Sequence, residues 1–312
     1  MADAEFGSYF LANPGAFRET VEGEPWGDNR RLLDLPGGPF LITGLSASQT
    51  DLMDREYSSV IAETQPSNDG LHETTVLRVQ PGFFREFDIE GWEYTIDLDS
   101  VPDRLRLATL NFAALVPWTS GATAGLWTSV EDAWFQGVIE NYLRVMVAHR
   151  LLLRDGVLLH SAGVVVDGSA YLFIGASGAG KSTLARKALE AGAPVLSDDL
   201  NAVVDLSVNP AVAQLPFTGE LRDRTSFAGA MPLGGIFVLK QGSSVDCEPL
   251  SRGEATAAIL ATAPFINRGV ETLDTLVASA VTLTSGAPVC RLTSAKDTTF
   301  EEIRRAVQGF QG

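Results

Sequence analysis

Cysteine is scarce in this 312-residue sequence, where Cys247 and Cys290 are the only two. With no metal-type spacing between them, they exclude a disulfide framework and a cysteine-ligated metal centre. Basic residues are also few: 23 Lys and Arg stand against 39 Asp and Glu, a formal net charge of −16. A surface of that sign repels nucleic-acid phosphates and argues against such a partner. It favours a neutral or basic peptide partner only mildly, since acidic surfaces also serve solubility. No apolar run approaches the ~18 residues that a membrane helix needs. The start, Met1-Ala2-Asp3-Ala4-Glu5, is acidic and lacks the basic segment and apolar core of a secretory signal. No internal repeat or low-complexity tract is present. The expected setting is a reducing cytoplasm. What remains, at 45% hydrophobic and 20% charged residues, is the composition of a globular protein with room for two domains.

The most informative stretch runs from Leu159 to Val203. Gly175, Gly180, Lys181 and Ser182 spell G-x-x-x-x-G-K-[ST], and Thr183 follows. Glycines let a loop fold back so that successive backbone N–H groups face one concavity and grip phosphate oxygens. The next helix adds its orphan N–H groups and positive dipole end. Lys181 supplies a mobile charge for the outer phosphates, and the Ser182 hydroxyl can ligate Mg²⁺. The cradle is expected to comprise Gly175, Ser177, Gly178, Ala179, Gly180, Lys181, Ser182 and Thr183. Context agrees: Tyr171-Leu172-Phe173-Ile174 reads as a strand, and Leu184 to Glu190 as a helix closed by Gly192.

Pro194-Val195-Leu196-Ser197 reads as a short strand ending on Asp198-Asp199, seventeen positions after Lys181. A strand–helix–strand crossover sets it parallel to the first strand, so both carboxyl ends lie on one edge. One carboxylate can then hold Mg²⁺ and the other can take a proton from an attacking hydroxyl. A pair of exposed turn aspartates is the alternative. Upstream, Asp167-Gly168 between two apolar runs is the signature of a two-residue hairpin. In that register His160 falls opposite Gly175, where it can contact a triphosphate or tune the aspartates; a strand histidine satisfied by backbone is the plainer alternative.

Together, His160, the apolar strand into Gly175–Thr183, the single helix and the Ser-Asp-Asp ending at Asp199 resemble the HPr kinase/phosphorylase family, in its serine-kinase catalytic-domain relatives. The histidine stands 15 positions before the first loop glycine, as in that family. Two departures are visible: the family's His-Gly pair is His160-Ser161 here, with the glycine delayed to Gly163, and no phosphorylase signature follows the loop. The resemblance covers 145–203 well, the remainder to 312 loosely, and 1–110 not at all. It implies an α/β fold, a P-loop kinase domain of the HPr kinase/phosphoenolpyruvate carboxykinase type with a β-rich N-terminal region. It also implies catalytic roles for Asp199 as base, Asp198, His160 and Lys181, and a metal held by Ser182 and Asp198. ATP and Mg²⁺ would be the cofactors, and relatives of this kind assemble into oligomers.

Residues 1–125 are expected to form a β-rich region serving substrate or partner recognition, and 126–312 the kinase domain. Phe40–Thr43, Thr75–Val79, Trp92–Leu98 and Arg104–Leu107 alternate or cluster like strands, with turns at Pro36-Gly37-Gly38 and Pro81-Gly82. An antiparallel sheet is expected there. Residues 63–73 read as a polar loop carrying a solvated His72, and the tryptophans 92, 118, 127 and 134 as core. Ser129 to Arg154 is the longest helical candidate, opened by a Ser129–Asp132 cap, with His149 in a packing or surface role. Further on, 235–240 and 245–250 read as a hairpin. Ser251-x-x-Glu254 and Thr298-x-x-Glu301 open helices, 272–280 looks helical and 288–292 strand-like. Arg222, Arg224 and Arg268 are candidate phosphate clamps, with a solvated loop as the alternative.

These readings point to a kinase acting on a serine of a peptide or protein, the peptide part coming from the resemblance alone. A small-molecule hydroxyl kinase has the same phosphate chemistry, and a non-catalytic ATP-binding switch is a different class that needs at most one of the two aspartates. A GTPase is the third reading: Ser294-Ala295-Lys296 faintly has the form of a guanine-contact motif, but no Asn-Lys-x-Asp precedes it, and the match reads as chance.

Overall fold

The computed structural model describes residues 23–64, 70–79, 96–101, 103–109, 111–119, 121–217, 219–221, 227, 229–266 and 270–310. Among them the chain is mixed α/β, with two sheets and six helices. It divides into two compact units, the first running to Val145 and the second made of most of the chain from Met146 onwards.

The first unit holds β1 (Glu24–Pro25), β2 (Asn29–Leu35), β3 (Gly38–Leu45), α1 (Ala47–Glu56), β4 (His72–Arg78), β5 (Asp97–Val101), β6 (Arg104–Ala108), β7 (Phe112–Pro117) and β8 (Ala124–Thr128). They form a sheet in the order β2-β3-β4-β8-β7-β6-β5, with β1 on β4. The expected antiparallel sheet is in fact mixed, because β4 runs parallel to both β3 and β8. Parallel neighbours need a crossover, and α1 lies in the one between β3 and β4. Its capping box is complete, with the Ser46 hydroxyl accepting the Gln49 N–H and the Gln49 side chain accepting the Ser46 N–H.

Three further expectations fail in this unit. His72 is not a solvated loop residue: it begins β4, is buried, and meets the Tyr142 hydroxyl at 3.1 Å and the Thr74 hydroxyl at 3.2 Å. Alternation within β4 turns His72, Thr74 and Val76 to the interior, so a polar-looking stretch has a buried face. Trp134 is 72% exposed, since it sits in the turn before the helix while Phe135 takes the buried place. That helix, α2, spans Phe135–Leu152 and starts later than Ser129. The Asp132 carboxylate accepts the Trp134 N–H and the Asp132 carbonyl accepts the Phe135 N–H, making a turn where a helical start was expected. Trp92, the Pro81-Gly82 turn, residues 65–69 of the 63–73 loop and residues 92–95 of the expected Trp92–Leu98 strand lie outside the described residues.

The second unit comprises β9 (Val157–Val166), β10 (Ser169–Ile174), α3 (Lys181–Glu190), β11 (Val195–Ser197), β12 (Leu200–Val204), β13 (Ala211–Ala213), β14 (Ala230–Gln241), β15 (Asp246–Pro249), α4 (Arg252–Thr262), α5 (Val270–Gly286), β16 (Val289–Ser294) and α6 (Phe300–Gln308), besides the end of α2. Strand β10 sits between β9 and β14. Along one edge β9 pairs with β10; it also pairs with β12 and β11. Strand β14 is long enough to pair with β13 near its start and with β10 and β16 beyond. The expected 235–250 hairpin is not formed, because β16 inserts between β14 and β15.

Period-2 alternation in β9 and β10 turns Ala162, Val164, Val166, Tyr171 and Phe173 toward one core, where Leu184, Ala185 and Ala188 of α3 and Phe300, Ile303 and Val307 of α6 close over them. The alternate positions Val165, Leu172 and Ile174 are buried too, as strands covered on both faces must be. Helix α4 packs against β9 and β10. Its box uses Ser251 and Glu254 as expected, whereas α6 is capped by Thr299 with Glu302, one residue later than Thr298.

Candidate active site

Asp167 and Gly168 both have positive φ, 49° and 80°, the backbone of a two-residue hairpin whose twist matches its strands. That turn fixes the register. Ser169 lies opposite Val166, and the ladder runs in step to Ile174 opposite Ser161. One step further brings Gly175 level with His160.

From Ile174 the chain enters a glycine loop that ends on α3. Gly175, Gly178 and Gly180 have φ of 156°, 77° and 105°. A Cβ on Gly178 or Gly180 would meet nothing within 4 Å, so their positive φ, not crowding, is what calls for glycine. Gly180 is the N-cap of α3 and no side chain caps the helix, which leaves its first N–H groups facing the loop. Lys181 folds back, its ammonium donating to the carbonyls of Gly175 at 2.9 Å and Ala176 at 3.3 Å. Burial lowers its pKa, and the negative charge of Asp199 acts the other way. Ser182 is half-buried and Thr183 exposed on the same first turn. At the far end a complete Schellman motif stops α3: Gly192 N–H bonds to Leu189 carbonyl and Ala193 N–H to Ala188 carbonyl, with Gly192 at φ 78°.

The acidic pair arrives from the other side of β9. Strand β11 runs antiparallel to β9 and hence parallel to β10, with β9 between them. The Ser161 N–H donates to the Asp199 carbonyl at 2.9 Å, while Ser161 also stands opposite Ile174. Asp199 and the mouth of the glycine loop are therefore level on the sheet, about two strand spacings or 10 Å apart at the backbone. His160, one residue back on β9 and half-exposed, places Nε2 3.5 Å from Asp199 Oδ1. Asp198 turns inward and is 4% exposed. Its carboxylate accepts the N–H of Glu220 at 3.2 Å and of Leu221 at 3.4 Å, each oxygen keeping a further lone pair. The 219–221 loop comes this close because residue 219 is glycine: a Cβ there would overlap Asp198 Oδ1 and lie 3.1 Å from the Asp199 Cβ.

Two neighbours escaped the sequence reading. The Asn201 amide donates to the Ser161 carbonyl at 2.8 Å and to its hydroxyl at 3.0 Å, tying β12 to β9 directly beneath His160. Gly163 makes room, since a Cβ there would overlap the Asn201 side chain. A glycine inside an otherwise apolar strand is the signal that such a close approach leaves. The second is the cleft on the opposite flank of β10, of about 490 Å³, lined by loop residues 178–180 and by 239–242 and 294–296. Arg222, Arg224 and Arg268 lie outside the described residues. Among the described residues no group of three or more His, Cys, Asp or Glu is placed to hold a metal. No described helix is long and apolar enough to cross a membrane.

No curated protein matches the chain. Forty-three chains of known structure do. One is the Hpr(Ser) kinase/phosphatase from Coxiella burnetii, at 12% identity and a TM-score of 0.27, with 49% of this chain and 94% of that chain covered. A family model described as SynChlorMet cassette protein ScmC matches residues 129–307, a span that contains the glycine loop, the acidic pair and the cleft. With more than half of its length in that match, the chain belongs to the ScmC family.

Proposed function

We propose that the chain is an ATP- and Mg²⁺-dependent kinase that transfers the γ-phosphate to a serine hydroxyl of a peptide or protein. The observation that carries the reading is the common level of the glycine loop and Asp199 on either side of β9, with His160 beside the aspartate. In this reading the loop is a P-loop, and its backbone amides from Gly178 to Thr183 hold phosphate oxygens. Lys181 exchanges its carbonyl acceptors for β- and γ-oxygens, offsetting charge where it develops. Ser182 and the remaining lone pairs of Asp198 would hold magnesium, which would supply charge neutralisation. Such a site needs only one or two carboxylates from the protein besides phosphate and water oxygens. Asp199 accepts the proton of the attacking hydroxyl, and the half-exposed imidazole of His160 orients that carboxylate and can pass the proton to solvent. The peptide substrate comes from the resemblance to serine kinases noted in the sequence.

The test is transfer of labelled phosphate from ATP to serine-bearing peptides encoded beside the gene. The Asp199→Asn protein is expected to lose transfer by about 10²-fold or more while binding ATP as before. An unchanged rate would remove Asp199 from the chemistry, and absence of ATP binding with magnesium would remove the whole proposal.

A further inference from the structure

We infer that Ser197 is a positioning residue for the proposed base: its hydroxyl holds the backbone open at Asp198-Asp199, so that Asp199 stands beside His160; this rests on the kinase reading above. The ladder locates the opening. Leu200 lies opposite His160 on β9, which sets Asp199 opposite Ser161. In a regular antiparallel pair of the hydrogen-bonded kind, each N–H meets the other residue's carbonyl. Here one bond is direct, from the Ser161 N–H to the Asp199 carbonyl at 2.9 Å. The other two groups go to side chains. The Ser161 carbonyl accepts the Asn201 amide at 2.8 Å, and the Asp199 N–H donates to the Ser197 hydroxyl at 3.1 Å. The same hydroxyl accepts the Leu200 N–H at 3.2 Å.

Ser197 ends β11 and is buried. A hydroxyl that accepts the N–H groups two and three residues ahead makes a local turn, an alternative to ladder pairing. That turn parts β11 from β12: the register against β9 already shifts between Val195 and Ser197, and regular pairing resumes at Leu200. Within it Asp198 reaches the N–H groups of Glu220 and Leu221, and Asp199 reaches His160 Nε2. Without the hydroxyl the Asp199 N–H loses its acceptor, and the carbonyl that the ladder offers instead is that of Ser161. Closing that bond draws the Asp199 backbone onto β9 and displaces its carboxylate, and ångström-scale displacement of a base is costly in rate.

The test is labelled-phosphate transfer to the peptide that the wild type phosphorylates best, beside binding of ATP and of inorganic tripolyphosphate, each with magnesium. Ser197→Ala should lower kcat at least about ten-fold, with KM for ATP and both affinities within about two-fold of wild type; the affinities also show that the variant is folded. Ser197→Thr keeps the hydroxyl and should return kcat to within about three-fold of wild type. A double-mutant cycle supplies the sharpest arm. In the Asp199→Asn background Ser197→Ala should cost less than about two-fold, because a residue acting through Asp199 has no base left to place. An unchanged kcat in Ser197→Ala, a Thr variant as slow as the Ala variant, a loss confined to ATP binding, or a full loss added to that of Asp199→Asn would each overturn the inference and leave the kinase reading standing. A wild type that transfers no phosphate would overturn both.

Discussion

At the scale of single residues, the arrangement depends on glycines that admit neighbours. Gly219 is the sharpest case, because its missing Cβ is what lets the 219–221 loop close on the acidic pair. Gly219→Ala should therefore displace Asp198 and Asp199 together and lower phosphate transfer by roughly 10²-fold, the penalty for ångström-scale misplacement. Tripolyphosphate affinity should stay near wild type, and steady-state kinetics beside a binding titration distinguish this from general unfolding. Much of this neighbourhood was legible in the sequence. The Asp167-Gly168 turn fixes the ladder locally, so the position of His160 opposite the loop follows by counting. The Asn201–Ser161 bond was not legible, since its partners are forty positions apart and meet only through β12, whose pairing nothing local dictates. The inward turn of Asp198 escaped for the same reason: its N–H donors come from a loop more than twenty residues away.

At the scale of elements, signals that close within one or two turns could be read, and those that depend on a distant neighbour could not. The stop of α3 belongs to the first kind. Gly192 has open space around it and a φ of 78°, so Gly192→Ala costs backbone strain alone, about 1 kcal/mol. Thermal unfolding should show a fall of a few degrees, with ATP affinity unchanged. The start of α2 is of the same local kind yet was misplaced, because Ser129 and Asp132 look like a cap while Asp132 closes a turn on Trp134 and Phe135 instead. Strands β14 and β15 show the second kind. Two apolar runs with a short polar gap read as a hairpin, and only the arrival of β16, some forty residues later, decides that they do not touch. Likewise α1, the crossover between the parallel strands β3 and β4, was not expected, because it lies in a region that reads as sheet. A prediction follows for the strut on α3. Lys187→Met removes two hydrogen bonds from its ammonium to the Lys296 and Thr298 carbonyls of the β16–α6 turn, and denaturant unfolding should show stability lower by roughly 1 kcal/mol, while tripolyphosphate binding holds.

At the scale of the whole molecule, the response to acid has an identifiable contributor in the second unit. His149 is buried on α2 and hydrogen-bonded to the Phe265 backbone, and burial lowers its pKa from 6.5 to about 4. Between those values the unfolded chain binds a proton that the folded chain refuses, so stability rises with pH across that window. The contribution is fully present above about pH 6.5 and disappears as the pH falls toward 4, some 3 kcal/mol in all. Denaturant unfolding from pH 7.5 to 4.5 should show a shallower decline for His149→Leu than for wild type, whatever the variant's stability at neutral pH.

The lysine-lined cleft has a kinetic corollary in a chain of net charge −16. In very dilute buffer the screening length reaches about 30 Å, and an arriving polyanion feels the repulsion of the net charge before the pull of Lys240 and Lys296. At about 8 Å, near physiological salt, only the charges close to the cleft act on it. Raising the ionic strength from very dilute buffer should therefore hasten nucleotide capture at first, while the residence time shortens, the reverse of the encounter kinetics of a basic phosphate-binding protein.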